Sequence, residues 1–270
     1  MMQLGLSSYT YTWAIGVPGS MPEKPMEVYD LIDKALSFNL SLVQIADNLP
    51  LEKLPLSELQ SLRQYASGKG VSIEVGGRGL TARHTMKCLE TAVALGSPIL
   101  RMVIDDQDFK PDLQSIISTI NDFVPELKSK KIKLAIENHD RLKAREFERI
   151  INSVGSSMVG ICLDSVNSMG AGEGFETVSE ILIPYTINLH IKDFSISRVP
   201  HKMGLIIEGK PAGRGMLNIP ELVKKASETV RCESAILELW TPPEKSIGET
   251  IIKEQEWASE SIEYLKQVMK

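Results

Sequence analysis

Four apolar runs in the second half of this 270-residue chain carry, or end on, side chains able to do chemistry. Ile132–Ile136 is followed by Glu137, Asn138 and His139. Gly160–Leu163 is followed by Asp164 and Ser165. Asn188–Ile191 carries His190 and leads into Lys192 and Asp193, and Ile236–Leu239 carries Glu238 and leads into Trp240. A single glutamate at the end of such a run is ordinarily a satisfied rim residue. A lone histidine there is ordinarily a hydrogen-bonded core residue. Four of them on four successive runs are less easily accidental. Ionised carboxylates among Ile and Leu are costly unless paired or bound to a metal, and three facing one axis repel one another. One divalent ion held by Glu137, Asp164, His190 and Glu238 relieves both costs. Three oxygens and one imidazole make a hard site that suits Mn2+ best, with Mg2+ and Co2+ close behind, and Zn2+ remains open.

Those side chains meet only if the runs are neighbouring strands. Eight strand-length apolar runs recur along the chain: Leu4–Ser8, Leu42–Ala46, Val71–Val75, Ile99–Ile104, Ile132–Ile136, Val159–Leu163, Ile187–Ile191 and Ala235–Leu239. Their continuity suits strands buried on both faces of a parallel sheet. Between them lie helical stripes at i, i+3, i+4 spacing. Val28, Leu31, Ile32 and Ala35 form one, Ile116, Ile117, Ile120 and Leu127 another, and Ala258, Ile262, Leu265 and Val268 close the chain. A strand-then-helix unit of about 30 residues, repeated eight times, predicts a single α/β domain over 1–270, a (β/α)8 TIM barrel. An open doubly wound sheet would show a glycine-rich turn after its first strand, and Ser7-Ser8-Tyr9-Thr10 offers none. The widest interval follows the seventh strand. It holds a glycine- and proline-rich stretch over 195–215, expected as a long loop that covers or binds substrate.

Composition bounds the partners. Hydrophobic residues are 43% and charged residues 24% of the chain, and the formal net charge is -5. Without clustered Lys and Arg, nucleic acid is not an expected partner. No segment approaches the roughly 20 apolar residues of a membrane span. The start Met1-Met2-Gln3-Leu4 lacks the pattern of a secretory leader. Cys88, Cys162 and Cys232 are odd in number and widely spaced, so a reducing, cytoplasmic setting is expected, with each thiol a small buried hydrophobe.

Barrel enzymes react at the C-terminal ends of their strands, so side chains of matching parity there are pocket candidates. His139 shares the parity of Glu137 and could serve as acid, base or substrate ligand, or be a solvated loop histidine. Lys192 shares that of His190 and could hold a substrate oxygen, or pair with a carboxylate. Tyr9, Tyr11 and Trp13 follow the first strand and could wall a small-molecule pocket, as could Trp240, or simply pack under a loop. Arg214 could bind a carboxylate or phosphate or be a solvated charge. Arg101 could touch substrate, although an ion pair with Glu74 is the preferred expectation.

The phrases Ala135-Ile136-Glu137-Asn138-His139, Gly160-Ile161-Cys162-Leu163-Asp164-Ser165, Leu189-His190-Ile191-Lys192-Asp193, Gly213-Arg214-Gly215 and Leu237-Glu238-Leu239 resemble the xylose isomerase-like TIM barrel superfamily of sugar phosphate isomerases and epimerases, as does the opening Leu4-Gly5-Leu6-Ser7-Ser8-Tyr9. Ketose 3-epimerases, hydroxypyruvate isomerases, and inosose isomerases and dehydratases are similar in style. The resemblance implies that Glu137, Asp164, His190 and Glu238 ligate one divalent metal. It also implies that Glu137 and Glu238 exchange protons with the substrate through a metal-stabilised enediolate. Two departures stand out. Ketose 3-epimerases commonly carry His three residues after the metal Asp, where this chain has Asn167. They also carry a second Glu six residues after the first metal Glu, where it has Lys143. Both departures weigh against a ketohexose 3-epimerase.

The leading expectation is therefore a divalent-metal-dependent isomerase or epimerase of a small sugar, keto-sugar or cyclitol. The alternative is a lyase that dehydrates a keto-cyclitol or dehydroshikimate-like acid, with His139 as its acid. A non-catalytic sugar-binding or partner subunit ranks lower. So does a nuclease like endonuclease IV, which needs more histidines than the four present. A homodimer or homotetramer is expected by analogy.

Overall fold

The computed structural model describes residues 2–270. Eight parallel strands close into a barrel. In chain order they are β1 (Gln3–Ser7), β2 (Leu42–Ile45), β3 (Ser72–Arg78), β4 (Ile99–Val103), β5 (Lys133–Glu137), β6 (Val159–Asp164), β7 (Thr186–Ile191) and, after a two-stranded insertion of β8 (Asp193–Arg198) and β9 (Leu205–Lys210), β10 (Ser234–Leu237). Every strand pairs with its sequence neighbour, and β10 closes the ring against β1. The eight-unit barrel expected from the spacing is thus observed. Strands buried on both faces must be apolar throughout, which is why they were legible as runs.

Short α1 (Thr12–Ile15) lies above the barrel. Eight helices surround it: α2 (Val28–Ser37), α3 (Leu56–Gly68), α4 (Ala82–Leu95), α5 (Leu113–Lys130), α6 (Ala144–Val154), α7 (Phe175–Leu182), α8 (Ile219–Glu228) and α9 (Ile247–Val268). Each presents an apolar stripe to the strands. In α5 the buried side chains are Ile116, Ile117, Ile120, Phe123 and Leu127. Caps fix the ends: Asp112 accepts from Ser115 N at 2.7 Å, and Ser246 with Glu249 forms a capping box on α9. Among the described residues no helix is long and apolar enough to cross a membrane.

The 195–215 stretch is not the irregular loop expected. Most of it is an antiparallel hairpin of β8 (Asp193–Arg198) and β9 (Leu205–Lys210), with Phe194 level with Gly209 and Ile196 with Ile207. The hairpin folds over the barrel mouth. A side chain at Gly209 would overlap the carbonyl of Trp240, so only glycine allows that approach. Asp193, buried at its base, accepts from the backbone N–H of Gly213, Gly215 and Leu217 at 2.9–3.1 Å. One carboxylate thereby organises the turn that the glycines make possible.

The barrel interior is unusual in its chemistry. TIM interiors are ordinarily filled by branched apolar side chains. Here Gln44, Glu74, Arg101, Asn188, His190 and Ser234 are all buried on the strands. The four expected ligands do not lie at one register level. Asp164 pairs with His190, but Glu137 pairs with Cys162 and His190 with Ile236, so Glu137 and Glu238 are displaced by two residues. Strand tilt and stagger in a closed barrel convert that displacement into convergence.

Candidate metal centre and substrate mouth

The four acidic and imidazole side chains converge. His190 Nδ1 lies 3.6 Å from Glu137 Oε2, 3.8 Å from Asp164 Oδ2 and 3.4 Å from Glu238 Oε1. All four residues are buried. Each is pinned from behind. Glu137 Oε1 accepts from Asn167 Nδ2 at 2.7 Å, and Asp164 Oδ1 accepts from the backbone N–H of Val166 and Asn167 at 2.8 Å. Glu238 Oε1 accepts from Ser7 Oγ at 2.8 Å. His190 Nε2 is 2.7 Å from Gln44 Oε1. Among the described residues seven buried side-chain atoms lack a hydrogen-bond partner of good geometry, and four of them cluster here: Glu137 Oε2, Asp164 Oδ2, Glu238 Oε2 and His190 Nδ1. They belong to the four expected ligands. Orphaned polar atoms of this kind call for an occupant. Asp164, His190 and Glu238 offer ligand atoms within 4.8 Å of one another, and Glu137 does so with His190 and Cys162, so carboxylate oxygens around a shared imidazole form a possible site for a divalent cation.

Cations already flank this centre. Lys192 Nζ is 2.9 Å from Asp164 Oδ2 and 2.8 Å from Glu238 Oε2. Arg101 pairs through Nε with Glu137 Oε2 and through Nη1 with Asp47 Oδ1 at 3.4 Å. The expected Glu74–Arg101 ion pair does not form. Arg101 is level with Gly76, two residues along β3 from Glu74, so the two charges sit at different depths. Glu74 instead accepts from Gln44 and Asn188 lower in the barrel.

These fields separate the two glutamates. Burial pushes Glu137 up to about 7, and the neighbouring charges of Asp164 and Glu238 add to the rise that Arg101 opposes. Burial also opposes charge on Glu238, but the fields of His190 (charged in the acid range where this carboxyl titrates), Lys192 and Arg101 outweigh it and hold the carboxyl well below the usual range. Burial lowers His190 to about 4, which leaves a neutral imidazole at pH 7. Lys192 is held charged by Asp164 and Glu238 against the opposing effect of burial.

Above the centre opens a cavity of about 570 Å³, a size that suits a small-molecule ligand. Lys192 and Asn167 face it on the metal side, and Tyr9, Trp13, Leu239 and Trp240 form much of its apolar wall. Of the expected pocket residues, Lys192, Tyr9, Trp13 and Trp240 thus stand at the mouth. Trp13 is fixed by its Nε1–H to the carbonyl of Thr241 at 2.8 Å. Its backbone N–H and that of Ala14 are held by Glu254 of α9 at 2.9 and 3.0 Å. Tyr11 instead packs into the core.

Three expectations change. Arg101 is buried behind Glu137 and supports that carboxylate rather than lining the mouth. His139 has both ring nitrogens engaged. Arg78 Nη2 stands 3.3 Å from Nε2, and because a guanidinium can only donate, Nε2 accepts and Nδ1–H donates to Asp140 at 2.9 Å. Arg214 lies apart from the cavity. It is largely exposed and paired with Glu260 of α9, because the glycine turn directs it outward.

Sequence reasoning missed Gln44, Asp47, Arg78 and any contact role for Asn167. Asp47 gathers Arg78, Arg101 and the Tyr9 hydroxyl, at 3.1, 3.4 and 3.1 Å. Burial would raise this carboxyl, and the two guanidinium groups hold it down instead. Lys143, the other departure noted, lies exposed at the start of α6.

Comparison with known proteins bears on the fold and the family. A family model described as "Xylose isomerase-like TIM barrel" matches residues 76–268. A 3-oxo-isoapionate decarboxylase of Pectobacterium atrosepticum is 30% identical over 264 residues, covering 98% of this chain and 95% of that protein. Among solved structures, D-psicose 3-epimerase from Clostridium cellulolyticum H10 with D-tagatose superimposes with a TM-score of 0.76 at 13% identity, covering 100% of both chains. A zinc-bound IOLI protein gives 0.65 at 15% identity, over 97% of this chain and 98% of that one. The fold, and a sequence match spanning nearly the whole chain, lead to one conclusion: the chain belongs to the xylose isomerase-like TIM barrel family.

Proposed function

We propose that this protein is a divalent-metal-dependent enzyme that moves a proton beside the carbonyl of a small sugar, keto-sugar or cyclitol, as an isomerase or epimerase. That it is a sugar-modifying enzyme of this barrel family accords with its relatives. The observation that carries the proposal is the meeting of three buried carboxylates around one neutral imidazole, with an oxygen of each 3.4–3.8 Å from His190 Nδ1. Glu137, Asp164, His190 and Glu238 would hold the ion. When bound, it supplies positive charge to adjacent carbonyl and hydroxyl oxygens and so acidifies the neighbouring C–H. Mn2+ is the ion we favour. One solved neighbour is described in complex with magnesium and another with zinc, so both are comparison ions.

The remaining work falls to the chain's own groups. Glu238, kept ionised by its cationic neighbours, takes a proton. Glu137, on the other side of the centre, returns one. Lys192 Nζ donates to a substrate oxygen at the floor of the mouth. Trp13, Leu239 and Trp240 exclude water from it. In keeping with its three free thiols, we place the enzyme in a reducing cytoplasm, and we expect a homodimer or homotetramer.

A second reading, a lyase, has a specific observation behind it: the 30% identical relative is named for decarboxylating a 3-oxo acid. Removing a proton beside a carbonyl and removing CO2 from a 3-oxo acid both place an electron pair on the carbonyl oxygen, and expelling a β-hydroxyl, which leaves as water once protonated, spends the pair that deprotonation supplies. The same residues serve each. Metal analysis of the purified chain, with NMR of candidate ketoses, cyclitols and 3-oxo acids in D2O, tests the proposal. One divalent ion per chain and solvent deuterium at a retained stereocentre support isomerase or epimerase chemistry. A vinyl signal or released CO2 selects the lyase. Metal content and activity unchanged in Glu238→Gln would refute the metal centre.

A further inference from the structure

Beneath the metal centre lies a closed polar network, buried on every side, that touches neither the mouth nor its wall. Gln44, in the apolar run of β2, is its hub. Gln44 Nε2 donates to Glu74 Oε2 at 2.9 Å and to Asn188 Oδ1 at 3.1 Å. Asn188 in turn accepts from the Cys162 thiol at 3.0 Å. It donates to Ser234 Oγ at 2.7 Å and to Glu74 Oε2 at 3.3 Å. These partners dictate which way the Gln44 amide points. Turned over, its carbonyl oxygen would face Asn188 Oδ1 and, whenever Glu74 is ionised, a second accepting oxygen, an unpaired arrangement inside the barrel. Gln44 Oε1 is therefore committed to His190, 2.7 Å away. An amide oxygen only accepts, so His190 must carry its proton on Nε2 and present a bare Nδ1 to Glu137, Asp164 and Glu238.

We infer that Gln44, oriented by Glu74 and Asn188, is a positioning residue that fixes the tautomer of His190 and so keeps Nδ1 ready to bind a cation. The opposite tautomer would put an N–H between the three carboxylates, satisfied by them and closed to metal. The contrast with His139 is instructive. Its partners, Arg78 and Asp140, select the proton on Nδ1. In this chain the neighbours of each histidine decide its tautomer, and they decide differently. The inference rests on the metal-centre reading above, but its first test requires no metal.

The test is 15N NMR of the full-length chain labelled at histidine, read through the two-bond couplings that distinguish a protonated ring nitrogen from a bare one. The chain has four histidines, and a His190→Gln variant identifies the signal. We expect His190 protonated at Nε2 and bare at Nδ1 at neutral pH, before any ion is added. Mn2+ titration then reads the consequence. Gln44→Leu is expected to bind Mn2+ about ten- to hundredfold more weakly. The exchanged pair Gln44→Glu with Glu74→Gln keeps an acceptor for His190 and restores the donor between positions 44 and 74 that Gln44→Glu alone replaces with two facing carboxylates. It is expected to recover most of the affinity that Gln44→Glu alone loses. His190 found protonated at Nδ1, or Gln44→Leu binding Mn2+ as tightly as the parent, overturns the inference. If the parent chain binds no Mn2+ while His190 shows the Nε2–H tautomer, the metal proposal fails and the positioning role of Gln44 stands.

Discussion

Asn167 Nδ2 donates to Glu137 Oε1 at 2.7 Å, while the same side chain's oxygen lies 3.4 Å from Lys192 Nζ. One amide thus ties the carboxylate of β5 to the ammonium after β7, at the position where ketose 3-epimerases commonly have histidine. Asn167→Asp would set a second carboxylate against Glu137 Oε1, and Asn167→Ala would leave that oxygen without its donor. A hydrogen bond to a charged group is worth about 1.5–3 kcal/mol. Asn167→Ala should therefore lower kcat/KM by roughly tenfold or more, with Asn167→Asp more damaging. Steady-state kinetics on the substrate found by the D2O screen, with melting curves as a control for folding, check this. Unchanged kinetics in both variants would remove Asn167 from the site.

Lys192 offers a sharper separation between holding metal and doing chemistry. Its ammonium touches Asp164 and Glu238 and also faces the mouth. Removing that charge leaves three carboxylates with less cationic compensation, so a divalent ion should bind at least as tightly to Lys192→Met as to the parent. Turnover should fall by about a hundredfold or more, since one donor to developing negative charge is worth on the order of 3 kcal/mol. Isothermal titration with Mn2+ alongside turnover decides the matter. Weakened metal binding in this variant would make Lys192 a structural support of the centre instead.

The barrel and the four convergent residues were legible for the same reason. Fully buried parallel strands leave unbroken apolar runs, and Glu137, Asp164, His190 and Glu238 each stand out because they interrupt or end one. Gln44 interrupts Leu42-Val43-Gln44-Ile45 in the same way and could have been noticed on that signal. Asp47, Arg78 and Asn167 could not. They sit in strand ends and turns, where polar residues are ordinary, and only the closed barrel brings Asp47 to Arg101 across 54 residues. The failed Glu74–Arg101 pairing shows the limit of parity arguments. Alternation gives the face of a strand, but the stagger between β3 and β4 sets the height. The 195–215 stretch misled through its glycines and prolines, which mark the turns of a hairpin as readily as a loop.

Arg214 is a case where the sequence suggested an anion-binding side chain and the structure assigns it to the surface. It is 70% exposed and pairs with Glu260, itself 40% exposed. Exposed pairs of this kind contribute about 0–1 kcal/mol. Arg214→Ala should leave kcat and KM within about twofold of the parent and shift the melting temperature by no more than a few degrees. A large rise in KM would return Arg214 to the substrate site.

Glu254 couples the C-terminal helix to the mouth, and the coupling should depend on pH. Its carboxylate holds the N–H groups of Trp13 and Ala14, and burial pushes its pKa from 4.5 up to about 7. Between those values the folded chain keeps a proton that the unfolded chain has released, so stability falls as pH rises. The contribution is fully present below about 4.5 and is lost as pH passes 7. The shift corresponds to on the order of 3 kcal/mol at most. Glu254→Gln removes the titration but replaces one accepting oxygen with an NH2 that cannot accept from Trp13 or Ala14. It should be less stable than the parent near pH 4.5 and close part of that gap up to pH 8, reducing the slope without abolishing it, because Glu74 is also raised to about 7. Urea unfolding of both proteins across pH 5–8 measures the difference. Parallel stability curves for the two would show that Glu254 does not titrate in this range, and the link between α9 and Trp13 would then be independent of pH.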